Sequence, residues 1–457
     1  MRVQKIELKG FRVFKGHYEI DLGDKGQNLL VYGENGSGKT SLYQALNLFL
    51  SPRPPYPDYS SNENIFTSSD ENYVKLLIGD ENHPSEVYEW SEEADPFSLP
   101  LIISAAKTKG FFDYKSLLET YFLQQDSKRI NLFDIFIRYL IPHKVNGITN
   151  RPFGEEWQTL LELSKKRKSK KTLEQIDSSL LDFNDGLTNL IQELNEMVNV
   201  ILSEFDQSIS IELSSSDITF DAAEKKYCDV AVDLEVKYYQ KLIEDHHHFL
   251  NESRLSAIAL SIYLVSILLN PPSLLKLLVL DDVLIGLDMS NRLPLIDIVQ
   301  KEFIQKDWQV IITTYDRVWY EILCQRLPAN KWTRAEFFCG KTSEYEFPIY
   351  KTGLNWLDKA EEFLNDGEYK ASVIYIRTGF EHILKNYCDT KHLKVSYQID
   401  NKYTSQVFWE CVLAEGLLSK QTIHQIELYR SKILNPMSHA SYVNPYADPQ
   451  KLDHELR

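Results

Sequence analysis

The sequence predicts an α/β sheet of the phosphate-binding-loop class, interrupted by a helical insertion and followed by an all-α C-terminal region. Three observations carry this reading. Gly33-Glu-Asn-Gly-Ser-Gly-Lys-Thr40 satisfies G-x-x-x-x-G-K-[ST] and lies between a strand-like apolar run and a helical one. A second apolar run, Leu277-Leu-Val-Leu280, ends in two adjacent acids, Asp281 and Asp282. From residue 354 to the end at 457 the spacing is almost wholly helical.

The elements follow in order. Val3 to Leu8 and Tyr18 to Leu22 alternate as strands, Asn28 to Gly33 reads as a third strand, and Thr40 to Leu50 has helical period. Residues 51–72, with Pro52, Pro54, Pro55 and Pro57, read as a surface excursion. From about 113 to 210 the spacing is mainly helical, with Leu180, Leu181, Leu187, Leu190, Ile191, Leu194, Met197 and Val198 as the seam of a long amphipathic helix. Strand-like runs return from 208 to 340, broken by one strong helix at 253–269, and Trp308 to Asp316 is another buried strand ending in polar groups. The expected divisions are 1–112 and 208–350 as two lobes of one head, 113–207 as the insertion, and 351–457 as a helical domain punctuated by Gly367, Gly416 and Pro436.

Length supports this division, because 457 residues exceed one ordinary hydrophobic core. Fifty Lys and Arg against 66 Asp and Glu give a formal charge of −16, which opposes a molecule-wide grip on nucleic acid. The acid is uneven: residues 351–457 hold 13 basic and 14 acidic side chains, so nearly all the excess lies before them. One basic run, Lys165-Lys-Arg-Lys-Ser-Lys-Lys171, stands out as a phosphate-binding patch or a solvated helix tip, and is the expected site of any contact with DNA. Five cysteines without C-x-x-C spacing argue against a disulfide framework, a zinc ribbon or a zinc hook. The alternating start offers no signal peptide, and no apolar run reaches 18 residues, so a cytoplasmic protein without a membrane span is expected.

The motif chemistry points to ATP and Mg²⁺. Gly33, Gly36 and Gly38, with Asn35 and Ser37 between them, let backbone N–H groups close around phosphate oxygens at a helix N-terminus. Lys39 reaches the β and γ phosphates and Thr40 offers a hydroxyl to Mg²⁺. Two acids at the C-terminal edge of an apolar strand can face a metal and a water: Asp281 would hold Mg²⁺ through water, and Asp282 would polarise the attacking water. Between these halves, Phe249 to Leu264 opens a helix rich in small residues whose Asn251-Glu-Ser253 end presents polar groups and free N–H donors.

This order of parts resembles ABC-type ATPases of the SMC and RecF class: an N-terminal strand pair with Phe11-Arg12, a Walker A motif at 33–40, a helical insertion, a signature motif, a Walker B strand, a D-loop at Gly286-Leu-Asp288 and a switch strand. The resemblance covers residues 1 to about 120 and 208 to 330. It implies a homodimer or higher oligomer in which two heads close face to face, with Asn251 and Ser253 acting on the partner's nucleotide, Arg12 and Tyr315 at the nucleotide site, and Asp288 at the head interface. Three departures bear on rate. Asn251 stands where relatives carry a signature Ser, Asp282 where they carry a catalytic Glu, and Tyr315 where many carry a switch His. An acid shorter by one methylene misplaces the water by roughly 1 Å, an error that costs on the order of a hundredfold, so slow hydrolysis is expected.

In the C-terminal region, Arg377 and Glu381 stand at i, i+4 on the helix Ala371 to His382, and Asn435-Pro436 caps a helix with His439 in its first turn. A first-turn His is held neutral beside the helix N-terminus and is available as a base. The arrangement is an intrahelical pair beside an unrelated capped helix, or it resembles the Arg-x-x-x-Glu and distant His set of HEPN domains in the PrrC and RloC anticodon nucleases. That resemblance implies RNA cleavage with His439 as base, Glu381 as acid and Arg377 on the phosphorane, and His382 as a fourth member or a core residue. Leu434 departs from it, standing where many such ribonucleases carry Arg. His246-His-His248 is expected at a surface or interface rather than on a metal.

Together these readings predict an ATP-gated bacterial anti-phage effector whose head dimer controls a nuclease, with the C-terminal domain cutting tRNA or other RNA. A rival is an ATP-sensing scaffold that restrains a separate HNH nuclease, as in Septu systems with a PtuA-type ATPase. A second rival is a RecF-like DNA repair clamp using Lys165 to Lys171 on duplex.

Overall fold

A computed structural model describes residues 1–51, 54–67, 71–113, 131–167, 169–283, 289–342, 344–352, 356–365, 369–395, 404–416 and 418–431. Two units divide the chain, Met1–Thr352 and Gly353–Arg457.

The first unit is built on a six-stranded sheet ordered β15-β14-β3-β13-β12-β6, with β3 Asn28–Gly33, β6 Gly110–Asp113, β12 Leu277–Asp281, β13 Gln309–Thr314, β14 Trp332–Lys341 and β15 Glu346–Thr352. All neighbours are parallel except β15, which returns antiparallel along the edge. A parallel sheet is covered on both faces, and β3, β12 and β13 are accordingly buried along their whole length. The pleat divides them: Leu29, Val31, Val279 and Ile311 join one core, while Leu30, Leu280, Val310 and Ile312 join the other.

The first core lies under a four-stranded antiparallel sheet, β2-β1-β4-β5, formed by β1 Arg2–Phe11, β2 Phe14–Asp21, β4 Tyr73–Asp80 and β5 His83–Trp90. It also receives the helices Lys39–Phe49 and Pro100–Thr108. The second holds the helix Glu252–Leu269 and the insertion. With a mean hydropathy of 1.5 over 18 residues, Glu252–Leu269 is long and apolar enough to cross a membrane, yet 67% of it is buried within the head. Its small Ala257, Ala259, Ser261 and Ser266 bring that backbone close, and Ser261 and Ser266 return their hydroxyls to the carbonyls four residues back.

The insertion pairs a helix at Phe153–Lys165 with a 36-residue helix at Lys170–Phe205, capped by Ser169, whose side chain accepts from the Thr172 N–H. Two small sheets lie beyond it: β11-β10-β7, from β7 Ile209–Ser214, β10 Asp233–Tyr238 and β11 Lys241–Ile243, and the pair β8 Thr219–Asp221 with β9 Lys226–Cys228. The seam expected on the long helix is buried at Leu180, Leu187, Leu190, Ile191, Leu194 and Val198, but Leu181 is 63% exposed. Leu181 follows Leu180 by about 100°, which turns it off the face that meets the sheet.

Gly186 sits in this helix where a side chain would collide: a Cβ there would lie 2.2 Å from Asn146 Oδ1. Asn146 is wholly buried and donates to Glu156 Oε2 at 2.9 Å and to the Asp182 carbonyl at 3.2 Å. Gly186→Ala, which gains about 1 kcal/mol in an exposed helix, is therefore expected to destabilise the head by about 1–3 kcal/mol. Urea unfolding checks this, and a variant at least as stable as the parent would contradict it.

In the second unit every described regular element is a helix: Trp356–Asn365, Tyr369–Thr390, Ser405–Ala414 and Lys420–Tyr429. Leu384, Cys388, Trp409 and Val412 form its core, and the buried Arg430 lies 5.5 Å from the Trp409 ring and donates to Gln406 Oε1 at 2.8 Å.

Candidate nucleotide site

The sheet order places three loops at one edge, at the C-terminal ends of β3, β12 and β13, where open α/β sheets receive ligands. After β3 the chain turns through Gly36 at φ 84° and Gly38 at φ 107° before entering the helix Lys39–Phe49. Those angles belong to glycine. Ser37 is 1% exposed and its Oγ has no partner within the protein. A buried hydroxyl inside a loop of N–H groups, opening onto a helix N-terminus, fits a phosphate.

Lys39 is buried, and its ammonium donates to the Gly33 carbonyl at 2.7 Å and the Glu34 carbonyl at 3.2 Å, with Asp282 Oδ2 at 3.4 Å. Asn35 and Thr40 are exposed. Asp281, at the end of β12, accepts from Thr313 Oγ1 at 2.5 Å and from the Thr40 side chain. Burial pushes its carboxyl above the ordinary range and the neighbouring Asp282 adds to this, against the bonds from Thr313 and Thr40. A divalent cation at Asp281 and Thr40 would reverse that penalty by favouring the anion, so the donor set suits Mg²⁺.

Asp282 turns out of the strand at φ 52°, a left-handed conformation that costs a non-glycine residue of order 1 kcal/mol. The turn aims its carboxylate back at the site, where Oδ1 accepts from the Tyr315 backbone N–H at 2.9 Å and Oδ2 meets Lys39. Tyr315 thus reaches the site through its backbone, while the residue is 41% exposed.

The helix Glu252–Leu269 begins at an exposed end. Asn251 is its N-cap and accepts from the Arg254 N–H at 3.0 Å, so the residue expected to meet a partner's nucleotide has a structural duty of its own. Ser253 Oγ accepts from Asn291 Nδ2 at 2.7 Å. The next residue, Arg292, reaches Asp316 Oδ2 at 2.6 Å, and Asp316 caps the helix Arg317–Arg326 by accepting from the Trp319 N–H. Asn291 and Arg292 therefore tie the signature end to the residue after Tyr315. Sequence reasoning passed over both, and also Thr313; the only available trace was polar residues at strand and helix ends. Asp288 lies outside the described residues.

Arg12 is exposed at φ 50°, its N–H donating to Asn62 O at 2.8 Å and its carbonyl accepting from Asn64. In the basic run, Lys165, Lys166, Arg167, Lys170 and Lys171 are all exposed at the turn between the insertion helices. The histidine triplet corrects an expectation: His246 is buried rather than at the surface, and burial pushes its pKa down to about 4. Asp245 caps a single helical turn there by accepting from the His248 N–H. Among the described residues no group of three or more His, Cys, Asp or Glu could hold a metal.

In the second unit Arg377 Nε donates to Glu381 Oε1 at 3.3 Å, as the i, i+4 spacing requires, with both side chains 31% exposed. His382 is exposed, which removes the core reading. His439, with Asn435 and Pro436, lies outside the described residues.

A family model described as an AAA ATPase domain matches residues 1–254. No curated protein matches the chain in sequence. Among solved structures, the chain is similar to an Smc head with an extended coiled coil, bound to the C-terminal domain of ScpA and derived from Pyrococcus furiosus, at 14% identity and TM-score 0.42, covering 80% of this chain and 99% of that one. It is similar to the SMC head domain from Thermotoga maritima at 14% identity and TM-score 0.35, covering 76% and 98%. It is similar to the recombination mediator protein RecF with ATP at 14% identity and TM-score 0.42, covering 77% and 97%.

Proposed function

Because the chain belongs to the AAA ATPase domain family, we propose that its head is a slowly hydrolysing ATP switch of the SMC and RecF class, which closes as a dimer and controls a nuclease activity in anti-phage defence. Lys39 and the loop N–H groups would hold the phosphates, and Thr40 with Asp281 the Mg²⁺. The metal supplies charge neutralisation when bound. Asp282 is the chain's own water-orienting carboxylate. One observation carries the slow-switch reading: that carboxylate is already committed, to Lys39 at 3.4 Å and to the Tyr315 N–H at 2.9 Å. A base restrained by two donors on a short side chain has little reach towards water.

Dimer closure draws on the exposed Asn251 and Glu252 and the half-buried Ser253, where the N–H groups and positive helix terminus suit a partner's phosphate. The Arg377–Glu381 pair supports RNA cleavage by the C-terminal unit, with His439 as its base. The exposed Lys165, Lys166, Arg167, Lys170 and Lys171 favour a second reading, a RecF-like clamp on duplex DNA.

Sequencing RNA ends after induced expression tests the first reading. New 2′,3′-cyclic phosphate ends are expected with the parent chain and lost with Arg377→Ala and with Lys39→Ala. Their absence from the parent would contradict self-cleavage.

A further inference from the structure

The hairpin at the sheet edge builds a cavity beside the phosphate loop, and we propose that this cavity takes the nucleobase of the bound nucleotide, with Tyr345 as its stacking surface. The inference rests on the ATP-binding reading above and adds to it the part of the protein that selects the base.

The cavity measures about 520 Å³ and is lined by Lys15, Tyr18, Thr67, Thr342, Tyr345 and Phe347. Register fixes where it lies. Phe337 of β14 pairs with Gly33, the first residue of the phosphate loop, so residues 338–341 run on past the end of β3 towards the ligand edge of the sheet. When β15 returns, Pro348 backs the loop: a Cβ on Gly38 would lie 3.0 Å from Pro348 Cγ and 3.3 Å from the Phe14 ring. The Tyr18 hydroxyl donates to the Pro348 carbonyl at 2.8 Å. Phosphate loop and cavity therefore share one wall, as the two ends of a nucleotide require.

The lining chemistry suits a planar heterocycle. Phe66 stacks behind Tyr345 at 5.4 Å and 26°. Against the Tyr345 ring, Lys15 Nζ lies 4.1 Å from the centroid. Part of the ring is thus covered by an ammonium on a flexible four-carbon stem instead of packed protein, and a base exchanges with it at the cost of a lysine swing. Thr67 Oγ1 is engaged by Asn72 Oδ1 at 3.4 Å and Thr342 Oγ1 by the Tyr345 carbonyl at 3.0 Å, so the surface offered to a base is the aromatic ring with the Lys15 ammonium beside it.

The hydrogen bonds of the hairpin turn do not use the Tyr345 side chain. Its turn is closed by the Thr342 N–H to the Tyr345 carbonyl at 2.9 Å and by the Tyr345 N–H to Thr342 Oγ1 at 3.0 Å. Tyr345→Ala therefore deletes the stacking surface while keeping the turn's hydrogen bonds, and Tyr345→Phe keeps the ring with its Phe66 and Lys15 contacts.

Calorimetric titration of the full chain with Mg²⁺ and either ATP or inorganic tripolyphosphate tests the proposal. Base stacking on an aromatic ring is worth about 1–3 kcal/mol, so Tyr345→Ala should weaken ATP about fivefold or more and leave tripolyphosphate unchanged, while Tyr345→Phe binds both as the parent does. Lys39→Ala should weaken both ligands. If Tyr345→Ala binds ATP like the parent while Lys39→Ala does not, the base lies elsewhere and the proposal fails, with the phosphate site intact. If the parent binds neither ligand, the nucleotide reading fails as well.

Discussion

Lys39→Ala is expected to abolish ATP-dependent stabilisation of the head. Lys39 is the one buried ammonium of the phosphate loop, and its hydrogen bonds to Gly33 O and Glu34 O hold it at the mouth of the helix Lys39–Phe49. A hydrogen bond to a charged group contributes about 1.5–3 kcal/mol, so losing one to each of two phosphates weakens binding by roughly a hundredfold or more. The readout is thermal unfolding with and without Mg²⁺ and ATP. A ligand at a hundred times its Kd stabilises the parent by about 2.7 kcal/mol, and at the same concentration the variant should gain less than about 1 kcal/mol. Equal gains in both proteins would contradict the assigned role.

Asp282→Asn is expected to lower ATP turnover by about a hundredfold while leaving ATP binding at least as tight. The amide cannot take a proton from water, and a positioned acid or base contributes about 10²–10⁴ in rate. Folding should survive, because asparagine tolerates the left-handed φ of 52° that this position demands, and its side-chain oxygen still accepts the Tyr315 N–H. Losing the anion also frees the Lys39 ammonium from its 3.4 Å partner. Single-turnover kinetics beside equilibrium titration separate the two effects. A variant that turns over like the parent would remove Asp282 from the chemistry.

The positions of these two residues are legible in the sequence because a G-x-x-x-x-G-K-[ST] run between strand and helix, and two acids closing an apolar run, put Lys39 and Asp282 at element ends. The helix Glu252–Leu269 and the strand Gln309–Thr314 are legible as apolar runs. What holds the site together is not. Thr313 to Asp281, Asn291 to Ser253 and Arg292 to Asp316 are side-chain bonds across 24 to 38 residues, and no periodicity encodes them. Leu181 is apolar and falls within the expected seam, although its angular position turns it outward. Adjacent positions of the histidine triplet point in different directions, and His246 is the one that turns into the protein while His248 stays exposed. The Tyr345 cavity had no sequence signature, since β2, the loop at Thr67 and the β14–β15 hairpin meet only in the folded sheet.

The central claim is that two heads close on nucleotide, each offering its Asn251–Ser253 end to the other. Sedimentation of Asp282→Asn, which is expected to hold ATP and consume it about a hundredfold more slowly, tests this directly. Saturating Mg²⁺ and ATP should convert a 53.2 kDa protomer to a species of twice that mass. Adding Asn251→Asp, which keeps the helix cap but sets an anion against the partner's phosphate, should prevent the conversion. A protomer mass unchanged by ATP, or a dimer indifferent to both ATP and Asn251→Asp, would contradict the account.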